Sequence, residues 1–168
     1  MPARTILIYP HPILKEVCRG VAVIDREISS LIADLVDTMH AGPGSVGVAA
    51  PQIGVTLRVC VVDVSASRLG RDNNHGLLTM VNPEIVHREG ASVMREGCMS
   101  VPDYTGDVER ATEITVQFLD EKGEERMVEA NGFEAVAIQH EMDHLDGILF
   151  LDRIASLKTG LFRRKKYK

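Results

Sequence analysis

His140, Glu141 and His144 carry the spacing His-Glu-x-x-His within Gln139-His140-Glu141-Met142-Asp143-His144-Leu145-Asp146-Gly147, a segment with helical periodicity. On a helix the two histidines lie one turn apart on one face, so both imidazoles can reach a single metal ion. Glu141 is rotated by about 100° from His140, within reach of a water at that ion without itself being a ligand. The chemistry of such a set is metal-assisted activation of water. The alternative is a surface helix with polar residues at coincidental spacing, and the surrounding chain must decide.

Two histidines leave the site short of a ligand, because a catalytic zinc-type site takes three protein ligands and keeps one position for water. Metalloproteases that extend the motif to His-Glu-x-x-His-x-x-Gly-x-x-His would find their glycine at Gly147 but Phe150 in place of the third histidine. A second protease class draws a Glu from a following helix, and no Glu or His occurs after His144. Asp146 and Asp152 remain downstream, although Asp146 points to another helix face. Upstream, Cys98 follows a glycine in Arg95-Glu96-Gly97-Cys98-Met99-Ser100-Val101-Pro102 and lies among polar residues. It is a better candidate for an accessible thiolate than Cys60, which sits in an apolar run. His75, in the polar stretch 65–76, is a weaker ligand candidate.

Several elements must position these groups. Residues 25–39 place Ile28, Leu31, Ile32, Leu35, Val36 and Met39 at helical spacing, with Asp25 as N-cap and Gly42-Pro43-Gly44 as a stop. His40 at the end of this helix is expected to be exposed. The run Val46-Gly47-Val48-Ala49-Ala50-Pro51-Gln52-Ile53-Gly54 is rich in small residues, which let another backbone or an extended ligand come close. Residues 57–64 read as a buried strand and 78–81 with 85–87 as strand pieces around Asn82-Pro83. Residues 113–118 and 125–130 read as two strands joined by the turn Asp120-Glu121-Lys122-Gly123. The metal helix begins near Gly132, and Phe133, Val136 and Ala137 extend its metal face as an apolar wall. A last helix is expected over 152–162, with Ile154, Leu157 and Leu161 on one stripe, leading into Arg163-Arg164-Lys165-Lys166-Tyr167-Lys168.

With 168 residues, 45% of them hydrophobic, and a net charge of −5, the chain suits one globular domain spanning 1–168, and nothing in its bulk charge suggests a nucleic-acid binder. Neither a membrane-length apolar run nor a basic amphipathic leader opens the sequence, so a cytoplasmic location is expected, with no membrane and no DNA partner. Three cysteines without a Cys-x-x-Cys pair fit a reducing compartment.

Three stretches together resemble the signature motifs of peptide deformylase, in order and at similar spacing: Gly47-Val48-Ala49-Ala50-Pro51-Gln52, Glu96-Gly97-Cys98-Met99-Ser100 and Gln139-His140-Glu141-Met142-Asp143-His144. Val81-Asn82-Pro83 and the overall length extend the resemblance over nearly the whole chain. Ser45 stands where the family usually has glycine, and Met99 where it usually has leucine. The elements and the resemblance imply an α+β fold of mostly antiparallel sheets packed around a central helix carrying His-Glu-x-x-His, with an N-terminal and a C-terminal helix.

The resemblance also implies roles. Cys98 becomes the third metal ligand beside His140 and His144, with water in the fourth position. Glu141 is the base that takes the water proton and the acid that passes it to the leaving amine. The metal, the Gln52 amide and the backbone N–H of Met99 stabilise charge on the attacked formyl oxygen. Gly47 presents backbone to the substrate main chain, Val46, Val136 and Ala137 receive a methionine side chain, and Glu96 pairs with Arg110 behind the Cys98 loop. The substrate is a nascent N-formylmethionyl polypeptide, and the products are formate and a free amino terminus. Fe(II) is the implied ion, and zinc, nickel or cobalt suit the same donors. Clustered Lys and Arg over 163–168 suit contact with ribosomal RNA.

Overall fold

The structure is a computed structural model that describes residues 3–164. Eight strands run along the chain: β1 (Gly47–Ala49), β2 (Val59–Val62), β3 (Leu78–Glu89), β4 (Ser92–Cys98), β5 (Val101–Arg110), β6 (Glu113–Leu119), β7 (Glu125–Asn131) and β8 (Leu161–Arg163). Two longer helices, α1 (Arg26–Ala41) and α2 (Gly132–Leu145), are followed by the single-turn helices α3 (Phe150–Arg153) and α4 (Leu157–Gly160). The strands form a five-stranded sheet in the order β1-β2-β3-β6-β7 and a three-stranded sheet in the order β4-β5-β8. Every pairing within the two sheets is antiparallel, so the chain is α+β.

The apolar run Val59-Cys60-Val61-Val62 is buried throughout because helices cover both faces of its sheet. Val59 and Val61 face α1, joining Ile28, Leu31, Ile32, Leu35 and Met39 in one cluster. Cys60 and Val62 point the other way, into a second cluster with Ala135, Ala137, Ile138, Met142 and Leu145 of α2. A strand buried on both faces reads as a continuous hydrophobic run. Helix α1 starts where the sequence places it: the Asp25 side chain accepts a hydrogen bond from the Ile28 N–H at 3.1 Å, and Gly42 ends it. His40 is exposed. Helix α2 is no surface helix, since every residue from Glu134 to Leu145 is buried.

Two expectations require correction, at residues 78–89 and at 152–162. Residues 78–89 form one strand, not two pieces, because Asn82 absorbs the irregularity at φ +53° and clamps the backbone of Val21 with both ends of its amide, each at 2.8 Å. The polar and glycine-containing stretch around Glu96 and Cys98 forms the two strands β4 and β5, whose register shifts between Glu96 and Cys98. Finally, 152–162 is not one helix. Ile154 turns extended at ψ 120°, Ser156 starts a separate turn, and Leu161–Arg163 pair with Tyr104, Thr105 and Gly106 of β5. The backbone hydrogen bonds offered by the free side of β5 outweigh the helical stripe, and Leu157 of that stripe is exposed. The positions 165–168 of the basic tail lie outside the described residues.

Candidate metal centre

Helix α2 presents His140, Glu141 and His144, the turn between β4 and β5 presents Cys98 and Met99, and the short 3-10 turn Ala50–Ile53 after β1 presents Gln52. The Sγ of Cys98 and one ring nitrogen from each of His140 and His144 lie within 4.8 Å of one another. The Sγ is 3.4 Å from His144 Nε2 and 3.5 Å from Gln52 Nε2. The rings of His140 and His144 meet edge to face, with centroids 5.2 Å apart.

Partners behind the histidine orient it. His140 Nδ1 is 2.8 Å from Glu96 Oε1, which leaves Nε2 for the cluster. Glu96 is itself gripped by both arms of Arg110 at 2.7 and 2.9 Å, and Arg110 also donates to Asp143 at 2.7 Å. Asp143 in turn receives Arg153 from α3 at 2.5 and 2.8 Å. The Glu96–Arg110 pair is one that the family resemblance implies, whereas the links to Asp143 and Arg153 are not. The identity of Asp143, within His-Glu-x-x-His, was the one available signal. The Gln52 amide is fixed on both sides: its Oε1 accepts the Ala49 N–H at 3.0 Å, and Nε2 reaches Ser100 Oγ at 3.0 Å as well as the thiol.

The two imidazoles are pushed in opposite directions. Burial opposes charge on His140, but Cys98, Glu141 and Glu96 crowd around it and raise its pKa well above the usual value. Burial pushes His144 well below it, helped by the positive charges of His140 and Arg110, so this imidazole is neutral and keeps a lone pair. Burial also pushes Glu141 up to about 7, and its Oε1 is buried with no hydrogen-bond partner among the described residues. A thiol, two imidazoles and a nearby carboxylate without a proton donor form a donor set that fits a divalent metal ion.

Cys98, His140 and Glu141 line a cleft of about 420 Å³ together with Val46, Gly47, Gln52, Met99, Val136 and Ala137. The structure thus gathers the sequence-derived site residues at one place, with His144 buried just beneath. A larger hollow of about 540 Å³ on the Asp143 side of α2 touches neither Cys98 nor Glu141; donor chemistry, not size, identifies the relevant cleft. His75 joins no metal set: its ring and backbone N–H both bind the Glu134 carboxylate, tying the 65–76 loop to the start of α2. Asp146 pairs with Arg58, and Asp152 with Lys15.

A carboxylate beside three buried side chains that could hold a metal ion, in an open cleft, is the arrangement of a metal-dependent hydrolase. Residues 3–160 match the family model described as polypeptide deformylase. The chain is 47% identical over 163 residues to peptide deformylase of Xylella fastidiosa strain M12, covering 95% of this chain and 92% of that one. Among solved structures it is similar to peptide deformylase from Ehrlichia chaffeensis in complex with actinonin, with a TM-score of 0.87, 35% identity and coverage of 94% and 92% of the two chains. It is also similar to a Met-Ala-Ser-bound class I type b peptide deformylase from Acinetobacter baumannii, with a TM-score of 0.82, 34% identity and coverage of 90% and 98%. The chain belongs to the peptide deformylase family, metal-dependent hydrolases that remove the N-formyl group from the methionine that starts new proteins.

Proposed function

We propose that Cys98, His140 and His144 hold one divalent metal ion, Fe(II) in the cell, and that α2 is the element around which both sheets are arranged to present it. The ion supplies Lewis acidity for water and carbonyl oxygen. The chain's own residues do the rest. Glu141 takes a proton from the attacking water and delivers it to the amine nitrogen as the formamide C–N bond breaks, leaving formate and a free amino terminus. Its raised pKa of about 7 suits a group that must both accept and return a proton near neutrality. The Gln52 amide is held at Oε1 by the Ala49 N–H and at Nε2 by Ser100, and its Nε2 donates to the charge growing on the formyl oxygen, as does the Met99 N–H. Val46, Val136 and Ala137 receive the methionine side chain.

The single observation that carries these roles is the meeting of Cys98, His140 and His144 donor atoms within 4.8 Å in the cleft that also holds Glu141 and Gln52. The binding of Met-Ala-Ser by the Acinetobacter relative supports a short methionine-led peptide as the ligand of this cleft. Among the described residues no helix is long and apolar enough to cross a membrane. A cytoplasmic location fits a reaction on nascent polypeptides. The basic stretch 163–168 contacts ribosomal RNA where those chains emerge; its deletion should weaken co-sedimentation with ribosomes, and undiminished binding would remove that role. Release of formate from formyl-Met-Ala-Ser, abolished by chelation and restored by Fe(II), tests the reaction itself. Turnover that survives full metal removal would overturn the assignment.

A further inference from the structure

Strand alternation assembles a second feature in the same cleft. Arg95 lies opposite Asp107 across β4 and β5, and Thr105 lies opposite Phe162 across β5 and β8. Residues two apart share a face, so Arg95, Gly97, Thr105, Phe162 and Arg164 occupy one side of the three-stranded sheet. The contacts agree. The Arg95 guanidinium stacks 3.6 Å above the Phe162 ring, Asp107 steadies it at 3.6 Å, and a Cβ on Gly97 would sit 3.5 Å from Thr105 Cγ2. That same Cβ would collide with the Arg164 guanidinium. Gly97, next in sequence to Cys98, therefore makes a trough, and Arg164 lies across it.

Arg95, Thr105 and Arg164 line the cleft along with Phe133, Val136 and Ala137 of the apolar wall. Of the acidic groups that line it, Glu96 is engaged by Arg110 and His140, and Glu141 belongs to the reaction centre. The arginine end of the cleft therefore brings together two guanidinium groups, with Asp107 beside Arg95, on a chain whose net charge is −5. We propose that this end selects substrates with a carboxylate side chain one or two residues after the N-terminal methionine, with Arg95 and Arg164 receiving it. The inference rests on the deformylase reading for the direction in which the peptide lies. A planar guanidinium engages a carboxylate through two parallel hydrogen bonds, and a partly enclosed site is screened less by salt than an open surface. The stacking of Arg95 on Phe162 pre-orders that side chain and lowers the cost of ordering it on binding.

The test uses the metal-loaded protein and two parallel series. Calorimetry compares binding of Met-Glu-Ser, Met-Ala-Glu and Met-Lys-Ser, and a formate assay compares kcat/KM for the formylated forms with formyl-Met-Ala-Ser. Glutamate peptides should exceed the lysine peptide by about fivefold in both series at low salt, with the gap narrowing as salt rises. Arg164→Ala and Arg95→Ala should each draw the Glu-to-Lys ratio toward one, and Arg164→Glu should invert it. A wild-type ratio of one, or a ratio unmoved by Arg164→Ala and Arg164→Glu, overturns the proposal. Failure of the deformylase reading is distinct: no formate appears from any peptide, while the calorimetric series still reports on the charge preference.

Discussion

A Cβ on Gly47 would lie 2.7 Å from Oε2 of Glu141. The carboxylate rests against bare backbone of β1, so strand and helix approach to a distance that any side chain at 47 would prevent. Gly47→Ala should fold normally but push Glu141 away from the position where it can take a proton. A displacement of that size costs about 10²-fold in kcat/KM. Steady-state kinetics with an unfolding curve separate this from loss of structure, and an alanine variant of normal activity would mean that Glu141 has room to spare.

Arg110 joins the Cys98 strand to the metal helix by gripping both Glu96 and Asp143, and its side chain is 3% exposed. Arg110→Met leaves two carboxylates without their buried partner. Denaturant unfolding should register a loss of about 3–5 kcal/mol. Because Glu96 orients His140, metal affinity should fall by about 10–100-fold, measured by competition with a chelator. Unchanged affinity would detach Glu96 from the histidine's role.

Burial, more than any neighbouring charge, lifts Glu141 to about 7. A carboxyl that holds its proton more tightly folded than unfolded stabilises the fold below its ordinary value, and that contribution is lost as pH rises toward 7. In metal-free protein the loss amounts to about 3 kcal/mol. Glu141→Gln cannot ionise and escapes it. The variant should therefore unfold at higher urea than wild type at about pH 8, with the gap closing at about pH 5. A gap independent of pH would contradict this.

The three cysteines should separate by reactivity. Burial pushes Cys18 up to about 11 and Cys60 well above the usual thiol range, so both should resist alkylation in the native protein. Cys98 lies in the cleft. Mass spectrometry after iodoacetamide should find one modified residue, Cys98, in metal-free protein and none once metal is bound. Equal labelling with and without metal would remove Cys98 from the ligand set.

The site was more legible in the sequence than the scaffold. His140 and His144 declare themselves because helical spacing converts a four-residue interval into one face, and Cys98 and Gln52 followed from motifs whose order matched a family. What lies at long sequence separation was not legible. The link from Arg153 through Asp143 and Arg110 to Glu96 depends on how α3 folds back over β5, which no local pattern encodes. The stretch 152–162 misleads for a related reason: its apolar stripe is helical, yet β5 offers Leu161–Arg163 backbone partners that a helix could not use. That pairing also carries Arg164 over Gly97, a contact that a helical end would not make.

The most direct measurement is formate release from formyl-Met-Ala-Ser by wild type and by Glu141→Gln, each loaded with one metal ion per chain. Equal metal content with turnover reduced by about 10²-fold or more in the variant is the predicted result, since the donors remain while the proton carrier is lost. A fully loaded Glu141→Gln protein that releases formate at the wild-type rate would contradict the role of Glu141, and with it the account of how this cleft works.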